Sequence, residues 1–113
     1  MSAIGTALDR ELALSRVGGD AELLKEIAHL FIGEYPQVLA QLQDAIARGD
    51  AKAVERTAHG LKGSVANFGA PAAVEAARTI ESLGRAQQLA DVPSVFRTLE
   101  LALAALRPEL ESL

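Results

Sequence analysis

Apolar positions recur at intervals of three and four along nearly the whole chain, and no segment alternates with the period of two that a half-buried strand requires. The pattern predicts an all-α protein. Alanine, leucine, glutamate, lysine and arginine dominate and β-branched residues are few, which agrees with that reading. Breakers divide the pattern at Gly18-Gly19, at Gly49-Asp50, at Gly69-Ala70-Pro71 and between Gly84 and Pro93. A short amphipathic helix is expected near Thr6 to Ser15, carrying Leu8, Leu12 and Leu14. A long helical region follows, N-capped by Asp20 and running to about Arg48, with Pro36 expected to kink or split it. The third helix starts at the N-cap Asp50 and ends near Gly69, and the fourth begins at Pro71, a residue suited to a first turn, and fades near Gly84. Asp91 is expected to cap a last helix running to about Leu106. The connection at Gly49-Asp50 is so short that the helices it joins must be antiparallel neighbours. The expected architecture is thus an up-and-down antiparallel four-helix bundle with a short N-terminal helix across one end, and residues 1–113 form one domain with no internal repeat or linker.

Length and charge narrow the function classes. A chain of 113 residues can bury a core of its own but has no room for a two-domain enzyme. Eleven Lys and Arg stand against fifteen Asp and Glu, a net charge of −4, and no basic block occurs anywhere. With three Phe, one Tyr and no Trp there is also little aromatic surface on which to stack bases. Neither nucleic acid nor an anionic membrane surface is an expected partner. The absence of cysteine excludes disulfides, thiolate zinc sites and a catalytic thiol, and leans toward the cytoplasm. Met1 to Glu11 lacks the basic start and apolar run of a signal peptide, and no apolar stretch approaches the roughly 18 residues of a membrane span. Met1 and the tidy ends favour a free-standing chain. No helix shows an unused second apolar face, so a monomer is expected.

One helix breaks the rules of a plain bundle. With side chains advancing about 100° per residue, Val54, Leu61, Val65 and Phe68 fall together on the side opposite His59, which makes them the core face. Lys52, Glu55, Arg56, Lys62, Gly63 and Ala66 all lie within about 60° of His59, so the imidazole sits in the middle of a charged, solvent-facing strip. Gly60 and Gly63 stand inside this helix, each costing on the order of 1 kcal/mol relative to alanine. Close approach of a partner explains that loss. Gly63, one turn beyond His59, removes the side chain that would crowd the ring, and Lys62 brings a cation beside it.

A lone exposed histidine in such a setting is suited to one chemistry above others. Imidazole titrates near neutral pH, and its neutral form carries a nucleophilic nitrogen. Phosphoryl transfer has a loose transition state with charge spread over equatorial oxygens, so an acceptor needs in-line access and nearby positive charge more than a general base. The bland alternative, a surface histidine among ordinary surface charges, leaves the two interior glycines unexplained.

The segment Thr57-Ala58-His59-Gly60-Leu61-Lys62-Gly63-Ser64, followed by Ala66-Asn67-Phe68-Gly69-Ala70, resembles the signature of histidine-containing phosphotransfer (HPt) domains, in which H-x-L-K-G-S/A surrounds the phosphorylated histidine. The Gly18-Gly19-Asp20 opening, Leu30-Phe31 leading to Glu34-Tyr35-Pro36, and Gly49-Asp50 also look like that family, so the resemblance covers about residues 8 to 106. It implies that His59 is the phosphoacceptor, attacking through Nε2, that Lys62 helps to hold the phosphoryl group, and that Gly63 clears space for a docking receiver domain. Arg56, Gly60, Ala66, Glu55 and Lys52 are the further candidates for contact with that partner. The resemblance further implies a phosphorelay intermediate, passing phosphoryl groups between the aspartates of a hybrid sensor kinase's receiver and a response regulator. The acid cluster and Mg²⁺ would belong to the receiver, so no cofactor is assigned to this chain. Lacking a phosphate-cradling glycine-rich loop, it is expected to be a phosphocarrier and not a kinase. Gly60 departs from commoner choices such as threonine, which bears on rate or stability and not on identity.

Other candidates have plainer readings. His29, among Glu22, Lys25 and Glu26, is read as a solvated histidine, and no third ligand accompanies the two histidines at metal spacing. Arg48-Gly49-Asp50 is a helix stop and N-cap, and Leu30 with Phe31 is read as core. Glu55, one turn before His59, either orients the imidazole or is a flexible surface glutamate. Ser64 lies about 140° from His59, too far round for direct contact. The competing function is a helical adaptor that uses the same strip and carries no phosphoryl group.

Overall fold

Residues 7–113 are described by the computed structural model, and all regular structure among them is helical. The elements are α1 (Arg10–Arg16), α2 (Ala21–Arg48), α3 (Ala51–Ala66), α4 (Pro71–Arg85), a 3-10 turn (Leu89–Asp91) and α5 (Val92–Glu111). Starts are set by short acidic side chains. Asp9, Asp20 and Asp50 each accept a hydrogen bond from the backbone N–H three residues on, satisfying a donor that the first turn leaves unpaired. Pro71 opens α4, where a missing N–H costs nothing.

Four of these expectations need correction. Of the two outcomes expected at Pro36, a kink or a split, the split is not found: α2 runs 28 residues without interruption. Proline forfeits one backbone hydrogen bond, whereas the helix buries Leu24, Ala28, Phe31 and Tyr35 up to that point and Leu42 and Ala45 beyond it, and the burial wins. Leu30 is 62% exposed while its neighbour Phe31 is buried, because adjacent helical residues point about 100° apart and one stripe cannot take both. In α1 the buried residue is Ala13 and Leu12 is exposed, and Thr6, where that helix was expected to begin, lies outside the described residues. Asp91 forms no side-chain cap: it closes the 3-10 turn, and α5 continues past Leu106 and through Pro108 to Glu111.

Helices adjacent in the chain pack on one another, α2 on α3, α3 on α4 and α4 on α5, and α5 returns against α2. Phe68, Leu42, Ile80, Leu99, Leu103 and Leu106 are the largest of the completely buried side chains, and the ring of Phe31 stacks on Tyr35 with centroids 5.3 Å apart. The chain entering α1 is tied down at two places. The Asp9 N–H donates to the carbonyls of Phe68 and Gly69, and the N–H groups of Ala7 and Leu8 donate to the Glu109 carboxylate. Gly69 has φ +58°, and a Cβ there would lie 2.6 Å from that of Asp9, so the turn after α3 requires glycine twice over. No helix among the described residues is long and apolar enough to cross a membrane.

The most extensive packing is between α3 and α4, and small residues make it possible. Ala73, Ala76, Ala77 and Gly84 line the buried face of α4. A Cβ on Gly84 would sit 2.9 Å from the Glu55 backbone nitrogen and 3.1 Å from the Ala51 carbonyl oxygen, and backbone cannot move aside as a side-chain tip can. Gly84→Ala is therefore expected to destabilise the fold by about 1–3 kcal/mol, despite alanine's better helix propensity. A lowered urea midpoint with unchanged slope would show it.

Candidate functional site

The core face of α3 fixes which way His59 points. Val54, Ala58, Leu61 and Val65 are fully buried, which turns the opposite side of the helix outward, and His59 is left with its side chain 68% exposed. Lys52, Arg56, Gly60 and Gly63 are likewise exposed, whereas Glu55, Lys62 and Ala66 are half-buried. Thus α3 does bring the expected residues onto one strip. A Cβ added at Gly60 or at Gly63 would meet no atom within 4 Å, so neither glycine is required by packing inside this protein.

The imidazole is held by a residue of the next helix. His59 Nδ1 lies 2.8 Å from Oε2 of Glu81 on α4, a residue only 5% exposed and the one buried charged residue among those described. Lys62 Nζ lies 2.7 Å from Glu81 Oε1, and Arg85 donates from Nη2 to Oε2 at 3.1 Å. Arg85 also donates from Nε to Glu55 Oε2 at 2.9 Å, closing the cluster back onto α3. Glu55 thus reaches the arginine and not the imidazole; the orienting role falls to Glu81. The Lys62 ammonium, hydrogen-bonded to it, holds the Glu81 carboxyl below the usual carboxylate range, with the His59 hydrogen bond adding to the effect and burial opposing it. The side-chain bond to Glu55 pushes the Arg85 guanidinium up, so it stays charged. An ionised carboxylate can only accept. The hydrogen-bond network therefore assigns the ring proton to Nδ1 and leaves the Nε2 lone pair free.

Two depressions flank the imidazole. An open hollow of about 620 Å³ between α3 and α4 is lined by Lys52, Glu55, Arg56, His59 and Arg85. On the other flank a groove of about 350 Å³ between α2 and α3 is lined by Phe31, Glu34, Tyr35 and Val38, and Arg56 and Gly60 border both. The Ser64 hydroxyl donates to the Gly60 carbonyl one turn back, a use internal to the helix. His29 is exposed and lines a different groove, between α2 and α5, with Lys25 and Arg107. Among the described residues no three His, Cys, Asp or Glu are grouped to hold a metal ion.

Glu81 and Arg85 are the two site residues that motif reading missed. A signal for the first exists: Ala77, Ile80 and Gly84 form the buried stripe of α4, and Glu81 stands within it, a charge where the pattern calls for an apolar residue.

Comparison with known proteins places the chain in a family. The pattern of the Hpt domain family matches residues 26–109. No curated protein matches the chain. Among solved structures, histidine-containing phosphotransfer protein B from Pseudomonas aeruginosa PAO1 is similar at 25% identity, over 98% of this chain and 95% of that one, with a TM-score of 0.88. With the family pattern spanning most of the sequence, the His59 helix included, the chain belongs to the Hpt domain family, the histidine phosphotransfer proteins of phosphorelays.

Proposed function

We propose that His59 is the phosphoacceptor and that the chain shuttles phosphoryl groups between the aspartates of receiver domains. The observation that carries this reading is an exposed imidazole whose Nδ1 is engaged by a buried, ionised Glu81, which leaves Nε2 as the nucleophile. The Nε2 lone pair attacks the phosphorus of an aspartyl phosphate in line, and the P–O bond breaks with its electron pair leaving on the aspartate. The ring becomes cationic and keeps its Nδ1 proton against Glu81, so no proton need move in either direction. On return transfer the leaving group is then neutral imidazole and not the far more basic imidazolate.

The remaining residues serve docking and charge. Lys62 contributes positive charge one turn from His59, Gly60 and Gly63 let the partner approach, and Lys52, Arg56, Glu55 and Ala66 surround the contact. The partners are receiver domains of a response regulator and of a hybrid sensor kinase, and Mg²⁺ belongs to the receiver's acid cluster. The chain itself is a phosphocarrier and not a kinase, acting as one domain over residues 1–113, monomeric and cytoplasmic, with no part in nucleic-acid or membrane binding.

The test is transfer from ³²P-labelled receiver domains with rapid quenching. Label is expected on this protein as a phosphoramidate, acid-labile and alkali-stable. If no receiver labels a demonstrably folded protein, the strip is a docking surface for an adaptor and the reading fails.

A further inference from the structure

A phosphoryl group on His59 brings negative charge and three acceptor oxygens onto the exposed strip, and the cations around it are unequally placed to receive them. Lys62 is turned to Glu81, 2.7 Å away, and Arg85 is held by two carboxylates, Glu55 at 2.9 Å and Glu81 at 3.1 Å. Arg56 and Lys52 are exposed and, among the described residues, take part in no ion pair. Of these two, Arg56 is the nearer, one turn before His59 on the same face. Helical side chains lean toward the start of their helix, so the imidazole lies over the turn that carries Glu55 and Arg56. Arg56 also borders both depressions beside the ring, the hollow toward Glu81 and Arg85 of α4 and the groove toward Glu34 of α2.

We propose that Arg56 is the residue that holds the phosphoryl group on phosphorylated His59, its guanidinium closing on the phosphoryl oxygens once Nε2 carries phosphorus. This rests on His59 being the acceptor, and it gives Arg56 a part in the isolated phosphoprotein, apart from any contact with the receiver. A guanidinium presents paired planar donors that match two phosphoryl oxygens, and Arg56 has no carboxylate partner to leave first. Spontaneous loss of the group breaks the N–P bond, its electron pair returning to Nε2, while a water oxygen bonds to phosphorus and the water's proton passes to the phosphate formed. The transition state is loose, driven by electron push from the phosphoryl oxygens. A cation on those oxygens withdraws the push, so Arg56 prolongs the phosphorylated state. It also favours the fully ionised phosphoryl group over the protonated one. Glu55 and Glu81 act in the opposite sense, but each is offset by Arg85 or Lys62, and Glu34 lies across the far groove.

The test uses protein phosphorylated by a receiver and then freed of it, followed by ³¹P NMR across pH and by ³²P retention. Parent, Arg56→Met, Arg56→Lys and Lys52→Met are compared, each with helix content checked. Arg56→Met is expected to raise the midpoint of the phosphoryl titration by about half a pH unit and to shorten the half-life about threefold or more. Arg56→Lys, which keeps the charge without the fork, should recover part of both, and Lys52→Met should change each by less than half as much. An unmoved titration and half-life in folded Arg56→Met protein would overturn the proposal; a raised KM for the receiver in that same variant would then make Arg56 a docking residue only. Failure of the parent to accept label, or label retained by His59→Gln, would instead overturn the assignment of His59.

Discussion

Label uptake is expected to fall by about three orders of magnitude or more in His59→Gln and to persist in His29→Gln. The chemical reason is that an amide nitrogen delocalises its lone pair into the carbonyl and cannot form the N–P bond. The structural reason is that the change removes little else. His59 projects from α3 with its side chain 68% exposed, and its imidazole hydrogen-bonds Glu81. The glutamine N–H₂ can donate to the same oxygen, while Lys62 and Arg85 continue to hold the carboxylate. Stability should therefore change by less than about 1 kcal/mol, so lost transfer reports chemistry and not unfolding. His29 lies exposed on α2 in the groove shared with α5, among Lys25, Glu26 and Arg107. Transfer that survives in folded His59→Gln protein would place the acceptor elsewhere.

What the sequence made legible follows from the range of the interactions involved. Helix starts at Asp20, Asp50 and Pro71 depend on hydrogen bonds within a few residues, and each is found where the local rule places it. The outward orientation of His59 was legible for the same reason, since four buried residues of one helix fix its rotation. The misjudged positions are those where a longer-range term, or a competing neighbouring turn, opposes the simple local rule. At Pro36 burial on both sides of the proline outweighs one missing hydrogen bond and keeps the helix continuous. At Asp91 the preceding 3-10 turn and Pro93 leave the carboxylate without a capping bond. Glu81 is the instructive case, because two of its three partners come from another helix, 22 residues away for His59 and 19 for Lys62. A buried carboxylate is tolerable only with donors around it, and no one-helix pattern reveals that α3 supplies two of them.

Stability and transfer should move independently in Gly63→Glu, and that is the sharpest test of the bare strip as a docking surface. Inside an exposed helix glycine is worse than most residues by up to about 1 kcal/mol, and a Cβ at this position meets nothing within 4 Å. The variant should therefore be as stable as the parent or more so, by about 0.5 kcal/mol. Its transfer rate should nevertheless drop by about a hundredfold or more, because a side chain one turn from His59 stands where the receiver's aspartate must approach, and a carboxylate there repels both that aspartate and the phosphoryl group. Gly63→Ala separates the two causes: it shares the gain in helix propensity and adds one methyl, so it should slow transfer far less than glutamate does. Melting and transfer measured on the same preparations give the answer. Normal transfer by a folded Gly63→Glu protein would mean that no partner closes on this face of α3, and the two glycines would then need another explanation.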